Sequence, residues 1–271
     1  MPPPPATHPQ HSTLSNTLLW GVASGFLRGI IGTPLDAWAI SAIVQGDAVG
    51  ARALQGVILG GAAFRGFVPN TIRTCIRSPV QYLSLQAGSS AYTTAVPERW
   101  REGAPALRGV CVGFASALAE SLVNTPLRVA QTLAVTGGSV GPALRAEGVA
   151  LLMRGFEGTL AHRLLSGAVF YGVYEHAIGL GAPVGAASLL AGTLQVTTSS
   201  PFYAVAVHRQ RSGSDVQGHV LRIAAQLAAE RGGAWRALFL PALAPRLLHS
   251  WIVSPLVMWV IDVQLHAIDR R

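Results

Sequence analysis

The sequence predicts an all-α membrane protein with six transmembrane helices. The helices form three two-helix repeats, with short surface helices between the two helices of a repeat. Three observations carry this prediction: a composition poor in charge, two motifs that each recur three times, and six long hydrophobic segments. Half of the 271 residues are hydrophobic and 12% are charged, whereas about a quarter of residues are charged in soluble domains.

The low charge density favours a lipid environment, because a charged side chain at the centre of a bilayer is costly. The 30 glycines fit this environment, since glycine is more frequent in transmembrane helices than in soluble ones. A large soluble helical protein is the alternative, but its surface would need more charge. The composition therefore predicts the lipid bilayer as the main partner of the chain.

The net charge of +8 favours an anionic membrane surface, with cardiolipin as a candidate bound lipid. Nucleic acid is the rival partner of a basic chain. The arginines, however, are spaced along apolar segments and form no basic stripe or arm. We therefore expect no nucleic-acid partner.

A turn motif recurs three times along the chain. It reads Arg65-Gly66 and Arg154-Gly155, and a related Pro-Ala sequence ends at Ala242. Aligned on Gly66, Gly155 and Ala242, the motif returns after 89 (155 − 66) and 87 (242 − 155) residues. A fixed interval of this kind indicates a repeat architecture.

A proline deep in an apolar stretch recurs ahead of each turn motif, as Pro34, Pro126 and Pro201. Proline inside a helix removes a backbone hydrogen bond and clashes with the preceding turn. We therefore expect these three residues to kink the first helix of each repeat.

The two motifs divide the chain into a tail over residues 1–13 and repeats over 14–100, 101–181 and 182–271. The tail is rich in proline and histidine and is expected to be disordered. Its neighbourhood lacks both the apolar core of a secretory signal and the Arg-rich pattern of a transit peptide, so we expect internal targeting.

The six hydrophobic segments cover residues 14–44, 68–87, 106–135, 158–180, 184–210 and 242–267. Each is long enough to span a bilayer, which takes about 20 residues.

Two further patterns concern the surroundings of these segments. The polar stretches 143–148 and 220–227 suit short helices lying on the membrane surface. Glycines recur at four-residue spacing at 21, 25 and 29 and again at 109 and 113. Such faces let two helix backbones approach closely in lipid.

The sequence carries no signature of catalysis. It has no nucleophile elbow, no phosphate-binding loop and no zinc-protease motif. Cys75 and Cys111 form no CxxC pair and have no histidine at metal-ligand spacing, so we expect free, buried thiols. The prediction is a protein that is not an enzyme and that has no cofactor and no metal site.

The order and spacing of these motifs resemble the mitochondrial carrier family over residues 15–266. The second repeat matches best, with Glu147-Gly148 leading to Arg154-Gly155 and with the stretch 166–175 similar to the family's second-helix consensus. The resemblance implies the mitochondrial carrier fold in the inner mitochondrial membrane. It also implies solute exchange by alternating access, in which two gates close a central cavity in turn.

The resemblance implies that each gate is a ring of ion pairs between repeats. The acid positions of the first gate hold Asp36, Arg128 and Tyr203, and its base positions hold Ala39, Gln131 and Ala206. The acid positions of the second gate hold Gln86, Glu175 and Asp262, and its partner positions hold Ser89, Ile178 and Leu265. The glutamine that braces the first gate in the family is kept once, as Gln210. Neither ring can therefore form as it does in the family, although Asp36, Glu120 and Arg128 are candidates for a replacement latch.

The resemblance also places substrate contacts about one turn into the second helix of each repeat. The candidate substrate-binding residues are Arg73, Arg77, His162, Arg163, Arg246 and His249. Ionisable residues within a membrane are functional candidates, and a basic set predicts an anion. The alternative is that these residues line a water-filled hole or pair internally with Glu157 or Glu175.

Three functions remain open from the sequence. The loss of both gates favours an accessory or structural subunit of a larger inner-membrane assembly, such as a respiratory complex or ATP synthase. The retained fold and basic cavity favour an active carrier that exchanges a small anionic metabolite, such as a carboxylate, phosphate or nucleotide. The third is a carrier-like protein of the outer membrane that acts in protein insertion.

Overall fold

The computed structural model describes residues 14–46, 51–61, 63–103, 105–212, 219–230 and 236–269. Over these residues the chain is helical, and they contain no β-strand. The tail over 1–13 lies outside the described residues, and so does the side chain of Asp262. The predicted all-α class is confirmed.

Six long helices account for most of the chain, and all helices are numbered in chain order. The long ones are α1 (Leu14–Gln45), α3 (Phe67–Ala95), α5 (Pro105–Val135), α7 (Phe156–Gly179), α8 (Val184–Ser212) and α11 (Leu243–Asp269). The short ones are α2 (Ala51–Leu59), α4 (Glu98–Gly103), α6 (Val140–Glu147), α9 (Val220–Glu230) and α10 (Arg236–Phe239). A 3-10 helix over Gly148–Met153 follows α6. The long helices coincide with the six hydrophobic segments, except that α3 continues well beyond residue 87.

The short helices include the two stretches expected at the surface. The first lies at the junction of α6 and the 3-10 helix, and the second lies within α9. Helix α9 buries Ile223 and Leu227 against Val205 of α8, while Leu221 stays exposed. This one-sided burial is that of an amphipathic helix packed on a bundle.

The long helices form a closed ring. Each packs against the next long helix along the chain, and α11 packs against both α8 and α1. Helices α1, α5 and α8 also contact one another across the ring. They meet in an apolar cluster that includes Ile40, Ile43, Val135, Tyr203 and Val207. We call this cluster the closed end of the ring.

The glycine faces are sites of close helix contact, as predicted. A Cβ atom at Gly25 would lie 2.3 Å from the carbonyl oxygen of Thr74 in α3. A Cβ atom at Gly113 would lie 2.4 Å from the carbonyl oxygen of Gly167 in α7. Neither distance leaves room for a side chain, so α1 packs on α3, and α5 on α7, backbone to backbone.

The Arg-Gly turns begin the second helices of the first two repeats. Gly66 (φ 79°) and Gly155 (φ 72°) cap α3 and α7 in the left-handed region, which glycine adopts most readily. The described residues contain no non-glycine residue with positive φ, so Ala242 before α11 is not in that conformation. The third repeat therefore begins its second helix without the left-handed turn that needs glycine.

The three predicted kink prolines lie inside continuous helices. Pro34 is within α1, Pro126 within α5 and Pro201 within α8. The hydroxyl just before each proline donates to the carbonyl oxygen four residues earlier. These bonds run from Thr33 to Gly29 (2.5 Å), from Thr125 to Ser121 (2.7 Å) and from Ser200 to Val196 (2.7 Å). The same local bond therefore recurs in all three repeats, in a form that often bends helices.

Within the described ranges, two helices are long and apolar enough to cross a membrane, over Leu18–Gln45 and Ala106–Val135. The bundle buries only 33% of the first window and 39% of the second. Large apolar side chains such as Leu19 and Leu122 are 67% and 59% exposed. Extended exposed apolar surface is typical of membrane or protein contact. The outer surface of the ring is therefore compatible with a membrane.

Both cysteines are free, as predicted, but the expectation that both are buried is wrong. Cys111 is exposed and Cys75 is half-buried. The reason is the orientation of α5, because Gly109 and Gly113 are the residues that face α7. Cys111 lies on the outside of the ring instead.

Candidate functional site

A cavity of about 170 Å³ lies inside the ring, and all six long helices contribute to its wall. Its charged and imidazole side chains are Arg28, Asp36, Arg73, Arg77, Glu120, Arg128, His162, Arg163, Arg246 and His249. The structure thus brings all six candidate substrate-binding residues to one wall. Their role in binding a substrate remains a prediction.

The charges of the cavity wall do not balance. Among the described residues, six arginines face it against two carboxylates, an excess of four positive charges. Charges interact more strongly inside a protein than in water, because the local dielectric constant is lower. A cleft lined by one sign of charge also concentrates ions of the other sign. The wall therefore favours an anion.

One group of charged side chains surrounds Asp36. Arg73 Nη2 donates to Asp36 Oδ2 at 3.0 Å, and Gln131 Nε2 donates to the same oxygen at 3.3 Å. Arg73 Nη1 donates to Asn124 Oδ1 at 3.1 Å. These bonds connect α1, α3 and α5, so Asp36 is the counter-charge of Arg73.

Tyr203 holds two further arginines in the same group. The guanidinium carbons of Arg128 and Arg246 lie 4.5 Å and 4.4 Å from the centre of its ring. Both arginines lie within electrostatic reach of Asp36. The imidazole of His162 packs edge-on against Tyr203, with ring centres 5.4 Å apart. Because the face of an aromatic ring attracts cations, Tyr203 offsets part of the repulsion between the two arginines.

We call Asp36, Arg73, Arg128, Tyr203 and Arg246 the Asp36 cluster. Arg246 is also held by the hydroxyls of α8, since it donates to Ser200 Oγ at 2.9 Å and to Ser199 Oγ at 3.1 Å. Tyr203 belongs to the apolar packing of the closed end as well. The Asp36 cluster therefore lies directly against the closed end of the ring.

A second group of charged side chains surrounds Glu120. Arg77 Nε donates to Glu120 Oε2 at 2.6 Å, and Arg163 Nη1 lies 3.6 Å from that oxygen. Ser116 Oγ donates to Glu120 Oε1 at 3.0 Å. These contacts connect α3, α5 and α7. Glu120 is thus the counter-charge of two arginines.

Arg28 joins the second group through a polar chain. Arg28 Nη1 donates to Gln81 Oε1 at 2.9 Å, and Gln81 Nε2 donates to the hydroxyl of Tyr171 at 2.9 Å. Arg28 is also within electrostatic reach of Arg77 and Glu120. We call Arg28, Arg77, Gln81, Glu120 and Arg163 the Glu120 cluster.

The two clusters lie at different levels of the ring. Arg73 and Arg77 are four residues apart on α3, which is about 6 Å along a helix. Arg128 and Glu120 are eight residues apart on α5, about 12 Å. Each cluster contains three arginines and one carboxylate, so the positive excess is divided equally between the two levels.

Several buried donors of the cavity wall, and one of Asn124 behind it, have no hydrogen-bond partner in the described part of the chain. They are Arg28 Nε, Asn124 Nδ2, Arg128 Nη2 and Arg163 Nε. A buried donor without a partner carries its full desolvation cost, about 1–3 kcal/mol or more for a charged group. An acceptor entering the cavity would remove this cost.

The positions of the first gate lie at the closed end, but they are joined differently from an ion-pair ring. Asp36 contacts Gln131, the base position of the next repeat. Arg128 contacts the ring of Tyr203, and Ala39 and Ala206 are buried. One polar contact, one cation–π contact and aliphatic packing therefore stand where the family has ion pairs.

Gln210 and Glu175 lie away from the cavity. Gln210 accepts from Thr132 Oγ1 at 2.9 Å and donates to Thr159 Oγ1 at 3.3 Å, so it connects α5, α7 and α8. Glu175 lies 3.8 Å from Arg108 in a half-exposed pair. Neither residue lines the cavity wall.

The alternative in which the basic residues of the cavity pair internally with Glu157 or Glu175 is wrong. Glu157, in the first turn of α7, pairs with Arg209 of α8 at 3.2 Å. Glu175 pairs with Arg108, as described above. The counter-charges inside the cavity are Asp36 and Glu120, because these are the carboxylates that the helices turn inward. The suggested latch of Asp36, Glu120 and Arg128 is divided between the two clusters.

The sequence reasoning missed Arg28 as a wall residue and Tyr203 as a partner of arginines. For Arg28 a signal existed: it is a lone charge in an apolar segment, eight residues before Asp36 and so near the same helix face. For Tyr203 no signal existed, because its partners come from two other helices.

A scan of protein-family models finds no match to this chain, and a search of curated proteins finds none either. The resemblance to mitochondrial carriers therefore rests on the motifs of the sequence alone.

Proposed function

We propose that this protein is a membrane carrier of the mitochondrial type that binds a small anionic metabolite in its cavity. It would exchange that metabolite across the inner mitochondrial membrane, with all six long helices spanning the bilayer. The observation that carries the proposal is the cavity wall, where six arginines face two carboxylates. Three of these arginines also keep a buried donor that has no partner among the residues that the structure describes.

The ring itself supports a membrane location. Its helices meet through glycine faces, the kind of contact that holds helices together where lipid removes the hydrophobic driving force. Its outer surface carries large exposed apolar side chains. Cardiolipin is the anionic lipid that we expect around such a basic chain.

The closed end supports a route to alternating access. Arg128 and Arg246 are held there by the Tyr203 ring, and Arg246 is also held by the hydroxyls of Ser199 and Ser200. A cation–π contact is worth about 0.5–2 kcal/mol, so an anion that binds Arg128 competes with a weak contact. Binding of an anion can therefore favour a state in which this end is released, as population shift requires.

Reconstitution tests the proposal. Purified full-length protein is placed in liposomes loaded with carboxylates, phosphate or nucleotides, and uptake of labelled external anion is measured. We expect uptake that needs an internal counter-anion. Arg163→Gln is expected to reduce uptake at least about tenfold, because a hydrogen bond to a charged group is worth about 1.5–3 kcal/mol. Arg209→Gln, whose arginine pairs with Glu157 away from the cavity, is the matched control.

The proposal is contradicted if the folded protein takes up none of these anions.

Fractionation of mitochondria with protease protection tests the location in parallel. Resistance to protease in intact mitochondria, lost when the outer membrane is opened, supports the inner membrane. Digestion in intact mitochondria places the protein in the outer membrane and supports the protein-insertion alternative.

An accessory subunit of a larger inner-membrane assembly is the second candidate function. The observation that favours it is the apolar packing at the closed end, where Ile40, Ile43, Val135 and Val207 meet. Aliphatic packing is not exchanged for substrate contacts as ion pairs are, so this end would stay shut. Native gel analysis of solubilised membranes decides between the two. Co-migration with a respiratory complex or ATP synthase supports the subunit, whereas migration only as a free monomer contradicts it.

A further inference from the structure

This inference rests on the proposed anion-binding function and names its substrate class. We propose that the cavity takes a small dicarboxylate and holds its two carboxylates separately. One carboxylate binds at the Asp36 cluster, and the other binds at the Glu120 cluster. The short carbon chain between them lies along the wall that connects the two levels.

The distribution of charge requires two anionic groups rather than one. Each cluster has three arginines and one carboxylate, which leaves an excess of two positive charges at each level. A single compact anion at one cluster leaves the other excess uncompensated. Because a buried charge without a partner is strongly destabilising, a ligand with one anionic group at each level fits the cavity better.

Free donors are present at both levels. In the Asp36 cluster, Arg128 Nη2 has no partner among the described residues. Arg28 Nε and Arg163 Nε have none in the Glu120 cluster, considering the described residues. A carboxylate has two oxygens and accepts several hydrogen bonds. Each level therefore offers donors that a carboxylate can use without breaking an existing contact.

The distance between the levels fits a short carbon chain. The arginines of α3 are separated by about 6 Å and the charged residues of α5 by about 12 Å along the helix axis. Leu35, Ala117 and Val196 line the same cavity as the charged residues. These apolar side chains provide contacts for methylene groups between two carboxylates.

The arrangement disfavours an amino acid. An ammonium group would need a carboxylate whose charge is not already compensated, but Asp36 is paired with Arg73 at 3.0 Å and Glu120 with Arg77 at 2.6 Å. An ammonium group would also be repelled by the net positive charge of both clusters. A dicarboxylate without an amino group is therefore preferred over its amino-acid counterpart.

Ligand binding to the purified full-length protein tests the inference. The dissociation constants of succinate, glutarate and adipate are measured by calorimetry beside those of butyrate, sulfate and glutamate. Butyrate has one carboxylate, sulfate is a compact dianion, and glutamate adds an ammonium group to glutarate. We expect one of the three dicarboxylates to bind about tenfold to a hundredfold more tightly than butyrate and sulfate, the gain of one further charged pair. We also expect glutarate to bind more tightly than glutamate.

Two variants each remove one arginine from the cluster at one level. Arg128→Gln acts on the Asp36 cluster, where Tyr203 keeps Arg246, and Arg163→Gln acts on the Glu120 cluster, where Glu120 keeps Arg77. Each is expected to abolish the preference for the dicarboxylate over butyrate. Arg209→Gln is expected to leave this preference unchanged. Circular dichroism establishes that the variants are folded before the affinities are compared.

The possible failures are distinguishable. If butyrate or sulfate binds as tightly as every dicarboxylate, the dicarboxylate inference is overturned while the anion-binding function stands. Tighter binding of glutamate than of glutarate overturns it in favour of an amino acid. If no anion binds to the folded protein, the proposed function fails together with the inference.

Discussion

The helix interfaces of this protein repeat, whereas its cavity wall does not. Gly21 and Gly113 each lie 13 residues before the proline of their helix (34 − 21 and 126 − 113), and both touch the partner helix. On the wall, the positions related by the 89- and 87-residue intervals hold Arg73, His162 and His249. The same scaffold therefore has a repeated packing surface and an asymmetric lining.

The difference follows from what each region contacts. Two helix backbones in close contact need a small residue wherever they meet, so every repeat is under the same constraint. A small ligand in the ring has no three-fold symmetry, so each repeat can present a different side chain to it. Substitutions in the two regions should therefore differ both in size and in how they respond to an anion.

Loss of the Glu120 carboxylate is expected to have the largest effect. Glu120→Gln leaves Arg77 and Arg163 without their buried counter-charge. Breaking a buried pair in this way costs about 3–5 kcal/mol. Chemical unfolding of the purified protein measures the change. Glu175→Gln is the matched control, because its half-exposed pair with Arg108 should contribute about 0–1 kcal/mol.

A methyl group in a glycine interface is expected to have the next largest effect. In Gly113→Ala the new Cβ atom would lie 2.4 Å from the Gly167 carbonyl oxygen, so α5 and α7 must separate. Overpacking of this kind costs about 1–3 kcal/mol. The control is Gly185→Ala in α8, where the added atom meets open space. A loss of stability in Gly185→Ala equal to that in Gly113→Ala would contradict the interface argument.

Loss of the aromatic ring of Tyr203 is expected to reduce stability by a smaller amount. Tyr203→Leu removes the contacts with Arg128 and Arg246, each worth about 0.5–2 kcal/mol. Tyr203→Phe keeps the ring and removes only a buried hydroxyl that has no partner among the described residues. In thermal unfolding, Tyr203→Leu should therefore have a lower midpoint than the wild type. The midpoint of Tyr203→Phe should be unchanged or higher. Equal losses in both variants would assign the role to the hydroxyl instead.

Loss of the exposed pair of Arg209 and Glu157 is expected to have the smallest effect on stability. Glu157 is 60% exposed, and exposed pairs contribute about 0–1 kcal/mol. Arg209→Gln should leave both the unfolding midpoint and the affinity for anions unchanged within that range. A clear loss of anion binding in this variant would show that the recognition of anions extends beyond the cavity.

The repeated scaffold was predictable because it rests on local patterns. The glycine spacing, the prolines and the apolar segments are all visible along the chain and correspond to the observed helices. The end of α3 was missed because the last residues before Ala95 are small and polar, although Tyr92 among them is buried. The exposure of Cys111 was missed because composition does not show which face of an apolar helix turns outward.

The residues that line the cavity, and their pairing, were only partly predictable from the sequence. Candidate residues such as Arg73 and His162 follow the repeated turn at a fixed distance, so the sequence marks them. Their counter-charges depend on which helices face each other across the ring, and Glu120 lies on a helix of the next repeat from Arg77. The pairing of Tyr203 with two arginines depends on three helices at once.

The most direct test of the account is whether an anion restores the stability of a cavity variant but not that of an interface variant. Thermal midpoints of the wild type, Glu120→Gln and Gly25→Ala are measured with and without saturating glutarate. Glu120→Gln has a larger positive excess, so glutarate should raise its midpoint more than that of the wild type. Gly25 packs on Thr74 of α3 and does not line the cavity, so Gly25→Ala should remain below the wild type by the same amount with and without glutarate. An equal response of all three proteins to glutarate, or no response in any, would contradict the account.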